Sequence, residues 1–63
     1  MTFEEFMVKA EASPFTWEIF GYANDLIFDG VESNIAYTEA LEYGIKLELD
    51  VLKWKESYEK TSD

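Results

Sequence analysis

Fourteen of the 63 residues are Asp or Glu, and they are the side chains here most able to do chemistry. Two facing carboxylates can share acid–base work, one held protonated and one ionised. That chemistry needs a cleft that shifts one of the pair. The chain has no His, no Cys and no Arg, and it is too short to enclose a deep pocket. At this density acidic pairs arise by chance. No glycine-rich phosphate loop is present. The sequence therefore predicts no enzyme, no cofactor and no metal site, since zinc in particular favours His and Cys ligands.

One acidic segment, "DLIFDGVESNIA", starts like a calcium loop. With Asp25 as its first position, Asp29 and Gly30 fall at the fifth and sixth. The third position is then Ile27 and the twelfth is Ala36, where such a loop needs an oxygen ligand and a bidentate Glu. A helix ending on a glycine stop explains the segment better.

The acids also form rows. Glu18, Asp25 and Asp29 recur at helical spacing, as do Glu39, Glu42 and Asp50, with Glu32 between the two sets. Carboxylates one turn apart sit at roughly 5–6 Å, comparable to the charge spacing along a nucleic-acid backbone. A rigid helical protein with such rows can occupy a nucleic-acid-binding groove as a decoy. The plainer account is a solvated face that keeps a small protein in solution. Lys46 and Lys53 interrupt the second row and favour the plainer account.

Five Lys against fourteen acids give a net charge of −9. Direct contact with nucleic acid or with an anionic membrane surface is disfavoured, because phosphate would be repelled. A basic protein partner, such as a nucleic-acid-binding protein, is the electrostatic complement. No apolar run approaches the ~20 residues of a membrane span. The opening "MTFEEF" lacks the basic start and apolar centre of a signal peptide. The absence of Cys gives no sign of an oxidising compartment. The expected setting is the cytoplasm.

These residues need elements to position them. In "TFEEFMVKAEA", Thr2 and Glu5 have capping-box spacing, and Phe3, Phe6, Met7 and Ala10 share one helical face. A helix over about 3–12 follows. Ser13-Pro14 ends it and suits the start of a second, with Ser as N-cap and Pro at the first helical position. Phe15, Ile19, Tyr22, Ala23 and Leu26 then form a stripe over about 14–29, with Phe20 and Ile27 on its flank. Gly21 is the weak point of this helix, and Gly30 its stop. "FTWEI" alternates like a strand, but it has no good partner in the chain. Trp17 and Phe28 fall off the stripe, where an aromatic either packs on the first helix or serves as an interface anchor.

The stretch "GIKLELDVLKW" alternates like a strand as well. Placed on a helix over about 34–59, residues at ~100° intervals resolve it into two apolar stripes. Ala36, Ala40, Tyr43, Leu47, Val51, Trp54 and Tyr58 make one. Leu41, Ile45, Leu49 and Leu52 make another, on nearly the opposite side. Strand pairing leaves the first stripe unexplained, so helix is expected, capped by Ser33. A helix apolar on two sides must be covered on two sides. Either the first two helices take one side each, or part of this helix meets another molecule, the region of Trp54 and Tyr58 above all.

The sequence thus predicts a single all-α domain, a small three-helix bundle with the third helix longest and central. Its expected role is non-catalytic protein binding. One form is a small acidic inhibitor or nucleic-acid mimic, of the kind viral and mobile elements use against a basic host protein. It would act through the acidic rows, with Trp17, Phe28, Trp54 and Tyr58 as apolar contacts. The other form is a structural or assembly subunit that self-associates, as a homodimer for example, through the apolar face of the third helix.

Overall fold

The computed structural model describes the backbone of residues 1–61 and the side chains of residues 1–57. Three helices follow one another, α1 (Phe3–Glu11), α2 (Thr16–Phe28) and α3 (Ser33–Thr61). No strand occurs among the described residues. The alternation in residues 45–51 is therefore the trace of two stripes on a helix, as the packing argument required.

The helix ends follow local chemistry. The Thr2 hydroxyl accepts the Glu5 N–H at 3.2 Å and opens α1. Glu4 and Glu5 lie in its first turn and Lys9 in its last, each at the helix pole that favours its sign. α2 closes on Gly30, whose φ of 96° suits a residue without a side chain. The Gly30 N–H donates to the Ile27 carbonyl at 3.0 Å, and the Val31 N–H to the Leu26 carbonyl at 2.9 Å. This Schellman pair satisfies two carbonyls that the helix end would leave open. Leu26 and Val31, the positions at which an apolar contact accompanies this motif, are both half-buried.

α2 starts at Thr16, two residues later than the Ser-Pro signal suggested. The Ser13 hydroxyl does accept a backbone N–H, but that of Phe15, at 3.1 Å. The Thr16 hydroxyl reaches back to the carbonyls of Ser13 at 2.7 Å and Ala10 at 2.9 Å. These bonds hold residues 12–15 as a turn that folds α2 back beside α1. α3 includes Ser33 as its first residue instead of following it, and the Ala36 N–H donates to the Glu32 carbonyl.

α3 is the spine against which both shorter helices pack. α2 runs antiparallel to it, with Ile19 at the level of Gly44 and Tyr22 stacked on Tyr43. α1 runs parallel to it, with Phe6 stacked on Tyr37 at 4.6 Å. The N-terminal amine of Met1 reaches Asn34, and Ser13 donates to Glu48 at 3.4 Å. The buried core consists of Phe6, Ala10, Ile19, Ala23, Ala36 and Ala40, only two of them large. Phe20 meets Phe6 edge-on at 5.7 Å and helps close it. Alanines at this seam let the helix axes approach closely, and the core is correspondingly thin.

A 29-residue helix is ~43 Å long, whereas the 13 residues of α2 cover only ~20 Å. The molecule is accordingly elongated, 48 × 22 × 15 Å. Its first part is a three-helix head ending near Glu48, and the rest of α3 projects beyond it as an arm.

Candidate functional site

Two surfaces differ in chemistry. The first is on the head. Tyr22 and Tyr43 stack across α2 and α3, with centroids 4.5 Å apart and planes at 14°. Glu18 precedes Tyr22 by one turn, and Asp25 and Asp29 follow it on the same face. Glu39 precedes Tyr43 by one turn and Glu42 adjoins it. The ring stack thus ties the two acidic rows to one side of the head, around an open recess lined by Tyr22, Glu39, Glu42, Tyr43 and Lys46. Glu32 lies in the connection between the helices. All six of these carboxylates are exposed. Asp50 continues the row past Lys46, beyond the head. The tyrosine pair was not anticipated, although each Tyr stands four residues after a Glu in its row, which is a readable signal.

Charge is divided along the chain. Residues 1–44 hold nine acids and Lys9 alone, a net of −8, whereas residues 45–63 hold five acids and four Lys, a net of −1. The head carries nearly all of the excess, and the arm is close to neutral.

The arm is the second surface. Ile45, Leu49 and Leu52 lie on one side of α3 and are each more than half exposed. Leu47, Val51 and Trp54 lie on the opposite side, continuing the stripe that Ala36 and Ala40 bury in the head. Leu47 is half-buried at the end of the head, Val51 is 42% exposed and Trp54 65%. The second stripe is thus exposed beyond Leu41, and the first emerges from the head with Val51 and Trp54 exposed. Packing by α1 and α2 covers the first half of α3, Ala36 and Ala40 fully and Leu41 in part, and leaves the second half exposed. Tyr58 belongs to the same sequence stripe but lies outside the residues whose side chains are described.

Trp17 and Phe28 share one face of α2 and are 81% and 91% exposed. Neither is buried against α1. Trp17 meets Phe20 edge-on at 6.1 Å and lines a shallow apolar groove with Phe3, Met7, Gly21 and Ile27. Phe28 stands at the end of α2, well away from the arm along the chain. The aromatic positions therefore do not form one site.

Among the described residues no group of acidic side chains converges as a metal site, and no helix is long and apolar enough to cross a membrane. The region that resembled a calcium loop is the C-terminus of α2 with its glycine stop. No protein-family model, curated protein or solved structure matches the chain.

Proposed function

We propose that the protein is a non-catalytic protein-binding module that works by assembly through the projecting half of α3. The observation that carries this reading is the bare arm. Ile45, Leu49, Leu52, Val51 and Trp54 are all substantially exposed on one short stretch. They form two apolar stripes on opposite sides of α3, and an exposed apolar stripe of this kind marks an interaction surface. The thin core of the head adds to the argument, because a domain of this size gains stability from association. The near-neutral charge of the arm suits an apolar seam, and the chain's composition suits the cytoplasm.

A second reading rests on the head. The six exposed carboxylates of α2, α3 and their connection, of which Glu39 and Glu42 line the recess at the Tyr22–Tyr43 pair, form a surface complementary to a basic protein, including one that handles nucleic acid. In that reading the protein is an acidic inhibitor, and the arm serves to hold or multiply the heads. Salt separates the two. An apolar seam keeps its affinity at high ionic strength, whereas contacts between exposed charges are screened within ~10 Å at 0.1 M salt.

The test is affinity capture on the full chain at low and high salt, with arm and head variants in parallel. Val51→Glu with Trp54→Glu should release whatever the arm holds, at either salt concentration. If that variant binds like the parent chain and the reversal of Glu18, Asp25 and Asp29 to Lys removes binding, the acidic reading replaces the first.

A further inference from the structure

We propose that the occupant of the arm is a second copy of this chain. The two arms dock antiparallel along Leu47, Val51 and Trp54, and Glu48 of each copy faces Lys55 of the other. This rests on the reading of the arm as a docking surface and names what docks there.

Charge argues first. Two heads of −8 repel, so any self-association must keep them apart. Between residues 45 and 57 the arm holds three Lys and three acids, so two arms can lie side by side without net repulsion. An antiparallel pair sends the heads to opposite ends. A parallel pair along this stripe would bring both heads to the same level and the same side, where they would collide.

The choice of face follows from continuity and from flanking charge. Leu47, Val51 and Trp54 prolong the stripe that α1 and α2 cover in the head. A second arm laid on them extends the same core. Spacings of four and three along the stripe are those of a helical seam with flanking positions on either side. With Val51 of one copy opposite Trp54 of the other, Glu48 and Lys55 flank the seam on one side and meet across it twice by symmetry. On the other flank Asp50 meets Ser57, which is uncharged. The opposite stripe, Ile45, Leu49 and Leu52, serves less well. Antiparallel pairing there keeps Glu48 against Lys55 but sets Lys46 of each copy against Lys53 of the other on the second flank, which the first stripe avoids.

Both Glu48 and Lys55 lie where this requires. Glu48 is half-buried at the edge of the head, anchored by Ser13 at 3.4 Å, and Lys55 is exposed two turns further on. The arrangement is isologous, the commonest form of a symmetric dimer.

Sedimentation equilibrium over a concentration series tests this on the full chain, with circular dichroism reporting helix content. The expected mass is that of a dimer. Val51→Glu with Trp54→Glu should weaken the dimer by more than about tenfold, and Leu49→Glu with Leu52→Glu by less than about threefold. Lys55→Glu alone should weaken it, and adding Glu48→Lys to the same chain should restore it, because the pair is reversed but kept. A monomer at every concentration overturns the proposal. So does a dimer broken by the Leu49 and Leu52 changes instead, or one in which Lys55→Glu is rescued by Asp50→Lys, the pairing a parallel arrangement would make. A monomer whose arm variants lose a foreign partner overturns the second copy and leaves the arm as a docking surface. A monomer indifferent to them in every capture experiment overturns both.

Discussion

Gly44 of α3 lies directly under Ile19 of α2. A Cβ built on Gly44 would stand 2.8 Å from the Ile19 Cγ1 and nearer still to its Cδ1. Ile19 is 1% exposed, so the contact lies inside the seam between the two helices. The glycine is therefore the point at which the two helices touch, and its missing side chain sets their separation.

Gly44→Ala should therefore destabilise the protein even though alanine is the better helix former. The intrinsic gain is about 1 kcal/mol. Forcing a methyl group into a filled contact costs about 1–3 kcal/mol. The net loss should be visible as a lower midpoint in urea. A variant more stable than the parent chain would mean that the helices are not in contact at this level.

Gly21 is the opposite case, because a Cβ there meets nothing within 4 Å. Gly21→Ala should stabilise the protein by about 0.5–1 kcal/mol, the usual difference between the two residues in a helix. Thermal melting of the two glycine variants side by side is a direct comparison. Shifts of the same sign would show that helix propensity alone governs both positions.

The two glycines also mark what the sequence could and could not disclose. Local chemistry was legible, as shown by Thr2 at the start of α1, Gly30 at the end of α2 and the double stripe of α3. Each depends on residues within two turns of one another. Gly21 was recognisable as a weak point for the same reason. The role of Gly44 was not, because it depends on Ile19, 25 positions earlier, and periodicity carries no information on distance between helices. The delayed start of α2 has a similar origin, since Thr16 bonds back to Ala10 across a turn. The pairing of Tyr22 with Tyr43 was equally hidden, and with it the joining of two acidic rows into one side of the head. Exposure at Trp54 followed from length alone, because α1 and α2 are too short to cover α3, whereas exposure of Ile45 and Leu49 depends on which side the short helices take.

Ile19→Ala should be among the most damaging single truncations in the head. It removes one of the two large side chains that are fully buried among the described residues, at the junction of α2 with α3. Loss of a buried Ile or Leu to Ala costs about 2–5 kcal/mol. A domain this small has little more than that in reserve. Far-UV circular dichroism at 25 °C should show a largely unfolded population. Retention of a cooperative melt near that of the parent chain would place the core elsewhere.

Phe28→Ser should leave the fold untouched, because the ring is 91% exposed and caps no part of the core. The expected change in stability is within about 0.5 kcal/mol. Trp17→Ser removes an edge contact with Phe20 and should cost slightly more. If either substitution weakens capture of a partner without altering the melt, the α2 face joins the arm as a binding surface. A large loss of stability for Phe28→Ser would contradict its position at the rim of the fold.

Reversing Glu18, Asp25 and Asp29 to Lys tests the acidic side of the head. All three are exposed, stand on one face of α2 and flank Tyr22 without supporting the core. Net charge moves from −9 to about −3, so self-repulsion within the head falls and stability should rise slightly. The variant should keep its helix content. A basic probe such as poly-lysine should bind the parent chain with steep salt dependence and the variant weakly, because attraction is lost and like charges are brought together. Self-association through the arm should respond in the other direction, since two less acidic heads repel less. Calorimetric titration at two salt concentrations, with sedimentation on the same samples, reads both effects. Unchanged affinity for the basic probe would remove the acidic face as a binding surface.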